Sequence, residues 1–580
     1  MNLDTSTSGV TWKMLCLAGV FLLAFLPRYF SVQSLGWNWD SPGSFTLINF
    51  DEGGSCRAAL DGFDYSTFVG RQTIAVATAL NIGPPPGIEG DARRVKAYCH
   101  SVGHIRVARL YSALLGSLTV VMLAWIALML VPDRPAVAWT ASSLLALSGF
   151  HISESHSGTV DAPSVFFIYL FLAVLVAIVS RHARGLAFMS APLLALAVWV
   201  KYWFFAAFAY LCLLPASVWR YVSHGMSPRR VVLVVLASAV MMGLLSTSEF
   251  RAANLYPALL LWYLVIPWRR VHRPMWIVWL VLPWLAYGLT LHPTLFRYTT
   301  SGSQGLFGTA YGAIGWHKWL RNPLNVPLVL MVGLGLPALA FVPAGIRYAV
   351  RDSARIRAWL CLLLPMLVFT LYMAFVAPVT YYRHYLALLP AAALLSACGL
   401  FATRWCRQTW FIALFLAWPT VLAVDLVSDY HQDPRIAFRQ WVSEHRSDAV
   451  FTSFYVSPPA GNFMLFKPEY AEGDARVLRR GAFLVLSENW YDTAFANELN
   501  GPLVNAPQRL VKTKPEYAAF YRAALAGEHP WLEPLATLKV QSFMPELVLH
   551  RAFYGNFPLF VGDLAIFSIR STSDEITRER

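Results

Sequence analysis

A series of apolar segments of membrane-spanning length, running from about residue 14 to residue 426, constrains this chain more than any other feature. We place about thirteen segments, near residues 14–34, 107–131, 136–150, 160–180, 186–200, 203–219, 231–247, 253–268, 275–291, 324–346, 358–377, 385–403 and 409–426. Because a helix needs about 20 apolar residues to cross a bilayer, the shorter segments predict tilted or re-entrant helices. Only 13% of the residues are charged, whereas soluble proteins contain about 25%. The sequence therefore predicts a polytopic α-helical membrane protein.

The basic residues predict how these segments are oriented. They cluster on every second connection, at Arg181 and Arg184, Arg220, Arg229 and Arg230, Arg269, Arg270 and Arg273, Arg347, Arg351, Arg355 and Arg357, and Arg404 and Arg407. The positive-inside rule assigns such connections to the cytoplasm. We therefore expect a multi-pass protein of the bacterial cell inner membrane with outer loops at 35–106, 151–160, 292–323 and 378–384. These turns explain the net charge of +14, and because no basic run contains interleaved aromatic residues, no nucleic-acid partner is expected.

The composition changes after the last apolar segment. We predict a transmembrane domain over 1–426, an extracytoplasmic α/β domain over 427–572 and a disordered tail over 573–580. Strands are expected near Ala449–Phe454, Ala482–Ser487, Leu535–Phe543 and Leu564–Arg570, and helices near 433–446, 490–499 and 514–526. An odd number of spans places this domain on the outer face.

Two of the seven cysteines, Cys56 and Cys99, lie in the first outer loop. An outer loop faces an oxidising compartment, where disulfides form and persist. A disulfide between them and a pair of free thiols are both open interpretations.

Three clusters of ionisable residues lie near the outer ends of spans, where a charge is costly and therefore marks a functional candidate. The first is Asp51-Glu52, followed by two glycines that permit a close backbone approach to a substrate or a metal. The same acids could instead begin a helix, whose dipole favours negative charge at its N-terminus.

The second cluster lies in an outer loop from His151 to Asp161 and contains Glu154 and His156. Asp161 precedes Ala-Pro and is expected to cap the next helix. Carboxylates with an imidazole could also bind a divalent cation, and their hard oxygen ligands suit Mg²⁺ or Mn²⁺. A hydrated polar loop is the alternative.

The third cluster is basic and contradicts the positive-inside trend. Its members are Lys201, Tyr202, Arg251, His292, Arg297 and the run Tyr381, Tyr382, Arg383, His384, Tyr385. Snorkelling to lipid head groups explains such residues without a function. The functional alternative is a phosphate site, in which Lys and Arg neutralise charge and Tyr donates hydrogen bonds.

Acids and phosphate-binding groups on one face indicate a reaction type. A sugar carried on a lipid phosphate needs that phosphate to be held and its leaving charge to be stabilised. The acceptor needs a carboxylate base that removes its proton.

The order of these motifs carries a resemblance to a family. The motifs are INFDEGG around Asp51, a basic-led helix over 108–116, the run SESHSGTVDAPSVFF ending at Phe167, Lys201-Tyr202, His292-Pro293, and Tyr382 to Tyr385 followed by Leu-Leu-Pro390. In this order the chain resembles the GT-C superfamily of membrane glycosyltransferases, in the branch of the protein O-mannosyltransferases and the aminoarabinose transferase of lipid A. The similarity is good over about residues 40–210 and architectural beyond 400. The proline and aromatic that usually flank the family's Asp-Glu pair are missing here.

The resemblance implies a GT-C fold and an inverting transfer of a sugar from a polyprenyl- or dolichyl-phosphate donor. It implies that Asp51 is the general base, that Glu52 supports it or binds metal, and that Asp161, with His156 or Glu154, completes the acidic site. The residues implied to hold the lipid phosphate and sugar are Lys201, Tyr202, His292, Arg297, Tyr382 and Arg383. A divalent cation would be held by Glu52, His156 and Asp161. The implied partners are the lipid-linked donor, membrane lipids and an acceptor glycan, lipid or protein.

Two other functions remain as alternatives. A transporter or flippase of an anionic lipid-linked substrate would place ionisable residues in the middle of its spans, and the apolar segments here contain almost none. A glycan polymerase or ligase that uses a pyrophosphate-linked donor would share the same outer face and differ in donor specificity.

Overall fold

The structure is a computed structural model, and the part of the chain that it describes comprises residues 5–32, 51–63, 65–181, 190, 193, 194, 196, 197, 200, 201, 206, 209, 316–376, 382–403, 409–445, 449–453, 456, 463–466, 482–488, 490, 491, 515–540 and 562–570. Within these residues the chain is mainly helical. The helices are α1 (Thr5–Val32), α2 (Gly54–Asp61), α3 (Thr67–Ala79), α4 (Ala92–Cys99), α5 (Val102–Leu130), α6 (Pro135–Ala146), α7 (Gly149–His156), α8 (Asp161–Arg181), α9 (Trp316–Leu334), α10 (Leu336–Arg351), α11 (Ile356–Leu371), α12 (Leu388–Ala402), α13 (Thr409–His431), α14 (Pro434–Glu444) and α15 (Pro515–Ala526). A π-helical turn (Tyr372–Val376) follows α11, and a 3-10 helix (Tyr382–Ala387) precedes α12.

Six helical segments of the described part are long and apolar enough to cross a membrane, and up to eight if each bent helix pair forms one span. They are Met14–Val32, Val102–Leu130, Asp161–Ser180, Ile356–Ala374, Arg383–Ala402 and Trp410–Glu444. The predicted polytopic helical class is confirmed. The five segments predicted between 186 and 291 lie wholly or mostly outside the described residues, so the total of about thirteen stays a prediction.

Two predicted spans are bent helix pairs. Helices α6 and α7 meet at 57°, and α9 and α10 meet at 118°. The prediction of a loop over 151–160 was therefore wrong for its first half, because the chain starts a second helix at Gly149. Ser148 caps α7 by accepting a hydrogen bond from the His151 amide at 3.3 Å, which favours a new helix over a loop. As a result, the polar residues of this segment lie on a short helix inside the bundle.

The centre of the membrane part is α5, which packs against α1, α6 and α8. Its apolar side chains belong to one large buried cluster that also includes residues of α8 and α12. Helix α7 packs against α1, α5, α8 and α13. The polar end of α7 is therefore surrounded by helices on several sides.

The described part of the predicted first outer loop folds into the short helices α2, α3 and α4. A disulfide joins Cys56 of α2 to Cys99 of α4, with the two Cα atoms 5.6 Å apart. Both cysteines are buried in a small apolar cluster with Ile88 and Val95. The disulfide interpretation of this cysteine pair is therefore confirmed.

The C-terminal region contains a mixed five-stranded sheet in the order β2-β1-β3-β5-β4. Its strands are β1 (Val450–Thr452), β2 (Phe463–Leu465), β3 (Phe483–Ser487), β4 (Leu532–Leu538) and β5 (Leu564–Ile569). Strand β1 runs parallel to β2 and β3, whereas β5 runs antiparallel to β3 and β4. Four of these strands overlap the predicted ones. Strand β2 was not predicted.

Candidate active site

The Asp51-Glu52 pair lies in a tight turn that leads into α2, in which the Gly54 amide donates to the Asp51 carbonyl at 2.9 Å. Gly53 precedes α2 with φ at +78°. A Cβ atom at this position would lie 2.6 Å from the His100 ring and 2.8 Å from the Cys99 carbonyl oxygen. Only glycine combines this backbone conformation with so close an approach. The turn thereby directs two adjacent carboxylates toward different surroundings.

Glu52 is held in a closed ion pair. Its Oε1 and Oε2 accept hydrogen bonds from Arg109 Nε at 2.8 Å and Nη2 at 2.9 Å. The Gly158 amide also donates to Oε1 at 2.7 Å. Both side chains are buried, at 0% exposure for Glu52 and 2% for Arg109. This bidentate arrangement fixes the turn to α5 and to the segment before α8, and it occupies both carboxylate oxygens of Glu52.

Gly158 is needed at that contact because the backbone passes very close to α5. A Cβ atom here would lie 2.9 Å from the Ala108 side chain. Any larger residue would push the Gly158 amide away from Glu52. A hydrated loop was one of the two sequence interpretations of this segment. In the structure Ser157 and Thr159 are buried, and the Gly158 amide donates a hydrogen bond to Glu52.

Asp51 belongs to a separate network, which is more accessible. Its Oδ2 accepts a hydrogen bond from Arg383 Nη2 at 2.5 Å. The Asp51 side chain is 33% exposed, against 17% for Arg383. Arg383 is carried by the 3-10 helix before α12, so this pair joins the first outer loop to a segment more than 300 residues away in the chain.

Asp161 forms ion pairs with both predicted phosphate-binding residues, Lys201 and Arg383. Lys201 Nζ donates a hydrogen bond to its Oδ1, and Arg383 Nε lies 3.9 Å from its Oδ2. Asp161 is buried at 2% exposure, and Lys201 is 15% exposed. Asp161 is the first residue of α8, not the residue that caps it, and its carboxylate serves the ion pairs. The network therefore links the carboxylates of Asp51 and Asp161 to Arg383, and Asp161 also to Lys201, with Asp51 the most exposed of the four.

Helix α7 supplies further ionisable groups to the same region. The Nδ1 atom of His156 bonds to the Ser153 carbonyl at 2.6 Å, and its ring lies 4.1 Å from that of Tyr430 on α13. The Tyr430 hydroxyl is 2.8 Å from the Ser153 hydroxyl. These contacts link α7 to α13, the helix that precedes α14 and the strands of the C-terminal region.

His100 lies beside the acidic turn, in the loop between α4 and α5. Burial lowers the pKa of His100 to about 4, and the charges of Lys96 and Arg57 add to this effect. The imidazole is therefore neutral at physiological pH. A neutral ring is compatible with the close approach of Gly53 to its edge.

The predicted metal ligands do not form a site in the described part of the chain. No group of three or more His, Cys, Asp or Glu side chains there is arranged to hold a metal ion. Both oxygens of Glu52 are bonded to Arg109, and His156 is directed toward Ser153 and Tyr430. The residues present do not fit a divalent cation, so no chemical step is assigned to a metal, and metal dependence stays a prediction.

The structure brings together Asp51, Asp161, Lys201 and Arg383, which the sequence placed in different loops. Tyr382 is the first residue of the same 3-10 helix as Arg383. Tyr202, His292 and Arg297 lie outside the described residues.

Sequence reasoning did not assign Arg109 to the site. The available signal was a charged residue inside an apolar span, which in a membrane protein needs a partner.

Comparison with known proteins gives only structural matches. No protein-family model matches the sequence, and no curated protein matches it. The apo oligosaccharyltransferase from Archaeoglobus fulgidus is 11% identical, with a TM-score of 0.47 over 86% of this chain and 72% of that chain. ArnT from Cupriavidus metallidurans bound to undecaprenyl phosphate is 14% identical, with a TM-score of 0.38 over 84% of this chain and 94% of that chain.

The Archaeoglobus oligosaccharyltransferase in complex with zinc and sulfate gives a TM-score of 0.43 at 11% identity, over 82% of this chain and 69% of that chain. All these TM-scores lie below 0.5, and no residue of this chain receives a role from them.

Proposed function

We propose that this chain is an inverting membrane glycosyltransferase that moves a sugar from a polyprenyl- or dolichyl-phosphate donor to an acceptor on the extracytoplasmic face. The observation that carries the proposal is the network in which the partly exposed Asp51 lies beside Arg383, while Arg383 and Lys201 share Asp161. A base and two phosphate-binding cations are thereby gathered at one position among helices of spanning length.

The cations provide the donor site. A lipid-linked sugar phosphate is a phosphodiester with one negative charge, and its leaving group after transfer is a phosphate monoester with a second charge. Lys201 and Arg383 can stabilise that growing charge, because fixed cations in a water-poor site act more strongly than in bulk water. Asp161 holds both cations in position and limits their repulsion when no donor is bound.

Asp51 provides the base. In the proposed reaction, the acceptor hydroxyl attacks the anomeric carbon, the bond from that carbon to the phosphate oxygen breaks, and Asp51 takes the hydroxyl proton. The exposure of Asp51 allows an acceptor to reach it.

The closed state of Glu52 supports a single displacement. A retaining enzyme needs a second carboxylate that attacks the sugar and forms a covalent intermediate. Glu52 is the carboxylate adjacent to Asp51, and both of its oxygens are engaged by Arg109. Glu52 therefore holds the turn in position. A reaction that uses a base and no carboxylate nucleophile inverts the configuration at the anomeric carbon.

The test is mass spectrometry of glycans, lipids and glycoproteins from a strain that lacks this protein. We expect one glycoconjugate to lose one sugar, and a plasmid carrying the wild-type chain to restore it. Asp51→Asn should fail to restore the sugar at equal protein abundance, whereas Glu89→Gln, an exposed acid in the same loop, should restore it. An unchanged set of glycoconjugates, or restoration by Asp51→Asn, would contradict the proposal.

A further inference from the structure

Tyr169 of α8 carries a buried hydroxyl that the proposed reaction does not use. The side chain is 0% exposed. Its hydroxyl donates a hydrogen bond to the Ala387 carbonyl at 2.9 Å and accepts one from the Ala391 amide at 3.0 Å. These two residues are 218 and 222 positions away in the chain, so the hydroxyl joins α8 to a distant segment.

The two backbone groups belong to the junction between the 3-10 helix and α12. In an α-helix each amide donates to the carbonyl four residues earlier, which makes Ala391 and Ala387 helical partners of each other. Pro390 has no amide hydrogen, so the neighbouring α-helical bond to the Leu386 carbonyl cannot form. A hydroxyl that bonds to both Ala387 and Ala391 therefore fixes the place at which one kind of helix changes to the other.

The same junction determines where Arg383 lies, because Arg383 and Ala387 belong to one 3-10 helix. The guanidinium of Arg383 bonds to Asp51 and lies 3.9 Å from Asp161. Asp161 is the first residue of α8, and Tyr169 lies about 12 Å further along that helix at a rise of about 1.5 Å per residue. Helix α8 thus contacts the 3-10 helix at two separate points. Two attachments fix the direction of a segment, whereas one alone leaves it free to turn.

We propose that Tyr169 is a positioning residue of the active site, whose hydroxyl holds the 3-10 helix against α8 and thereby keeps the Arg383 guanidinium at the two carboxylates of the network. The attachment rests on the contacts of the hydroxyl alone. Its consequence for the donor rests on the proposed function, in which Arg383 and Lys201 bind the phosphate. In this role Tyr169 makes no contact with the substrates and acts through Arg383.

Tyr169→Phe removes only the hydroxyl and tests this role. The Ala391 amide and the Ala387 carbonyl can then bond to each other, so no buried backbone group loses its last partner. We therefore expect the variant to fold, with a thermal unfolding midpoint close to that of wild type. The 3-10 helix loses one of its two attachments to α8, and Arg383 is held less firmly at the site.

The first experiment measures the binding of undecaprenyl phosphate to the full-length protein in detergent. In Tyr169→Phe the affinity should fall by about tenfold, as expected when a hydrogen bond to a charged group is weakened. The matched control is Tyr348→Phe, which removes a hydroxyl from α10, where the ring packs against Trp359; its affinity should equal that of wild type. A smaller folded fraction reduces the number of sites and leaves the affinity unchanged, so misfolding alone cannot produce this result.

A double-mutant cycle shows whether Tyr169 acts through Arg383. Lys201 remains in Arg383→Gln, so binding is weakened in that variant and not abolished. Adding Tyr169→Phe to Arg383→Gln should change the affinity by less than about twofold, because the group that Tyr169 positions is no longer there. Equal effects of Tyr169→Phe in the two backgrounds, or an unchanged affinity in the single variant, would overturn the positioning role.

Amide hydrogen exchange separates the attachment from the proposed function. In Tyr169→Phe, peptides that cover the 3-10 helix should exchange faster than in wild type, while peptides of α2 should exchange as before. Unchanged exchange over the 3-10 helix would overturn the attachment itself. If exchange becomes faster but wild-type protein binds no undecaprenyl phosphate, the effect on the donor fails together with the proposed function, while the attachment stands.

Discussion

Asp51 and Glu52 are neighbours in the chain, yet they occupy opposite surroundings. Glu52 is fully buried and bonded through both oxygens to Arg109. Asp51 is 33% exposed and bonded to Arg383, which it shares with Asp161. One carboxylate holds the turn before α2 against α5, and the other, in the proposed function, is presented to a substrate.

In the proposed function, this arrangement keeps an acid accessible next to apolar helices. The tight turn at Gly53 is anchored by the buried Glu52–Arg109 pair, while Asp51 on the same turn stays partly exposed. Removing one partner of a buried pair leaves an uncompensated charge, whereas removing an exposed acid does not. The two positions should therefore separate activity from stability when they are substituted.

The largest expected effect is on the rate of transfer in Asp51→Asn. A positioned general base contributes about 10²- to 10⁴-fold, so transfer should fall by that factor. The thermal unfolding midpoint in detergent should remain close to that of wild type, because Asp51 is partly exposed. The rate is measured as polyprenyl phosphate released from a labelled donor in membranes that contain the acceptor. A variant that retains full activity would remove Asp51 from the reaction.

The next effect is on stability, in Arg109→Gln. This variant leaves Glu52 buried without its cation, which costs about 3–5 kcal/mol of the free energy of unfolding. The loss should appear as a lower thermal unfolding midpoint, even before substrate is added. A midpoint equal to that of wild type would mean that the pair does not anchor the turn.

The third effect is on stability and concerns the disulfide that joins α2, which follows the acidic turn, to α4. The bond between Cys56 and Cys99 spans a sequence separation of 43 residues, for which loop entropy predicts about 4 kcal/mol of stabilisation. The double variant Cys56→Ser/Cys99→Ser should unfold earlier than Cys16→Ser, a matched control at a free cysteine in α1. Equal midpoints for these two proteins would contradict an anchoring role for α2 and α4.

Sequence reasoning identified the four residues of the Asp51 network and also Glu52, but it did not identify the partners that bury Glu52. Asp51, Asp161, Lys201 and Arg383 were predicted because outward charge at span ends is unusual and because the family resemblance orders it. Arg109 and Gly158 were missed as partners of Glu52, since contacts at sequence separations of 57 and 106 residues leave no local pattern. The helical state of α7 was also missed, because its Ser, Glu and His residues are typical of a hydrated loop unless surrounding helices bury them.

The smallest effect concerns pH and His100, which lies against the turn. Its pKa is lowered from 6.5 to about 4, so the unfolded chain binds a proton at a higher pH than the folded protein does. The contribution of His100 to the free energy of unfolding is therefore fully present above pH 6.5 and is lost as the pH falls through 4. For a shift of this size the contribution is about 3 kcal/mol. The difference in unfolding midpoint between wild type and His100→Asn should change across that range. A difference that stays constant with pH would contradict the buried neutral state.

The assignment of the base to Asp51, and not to Glu52, is tested most directly in one transfer assay. The assay compares Asp51→Asn with the double variant Glu52→Gln/Arg109→Gln. The double variant replaces the buried pair by two neutral amides that can hydrogen-bond to each other, and the amide oxygen introduced at position 52 can still accept from the Gly158 N–H. We predict that the double variant folds and keeps most of its transfer activity, while Asp51→Asn folds and loses it. An active Asp51→Asn beside a folded but inactive double variant would assign the chemistry to Glu52 and contradict the role given to Asp51.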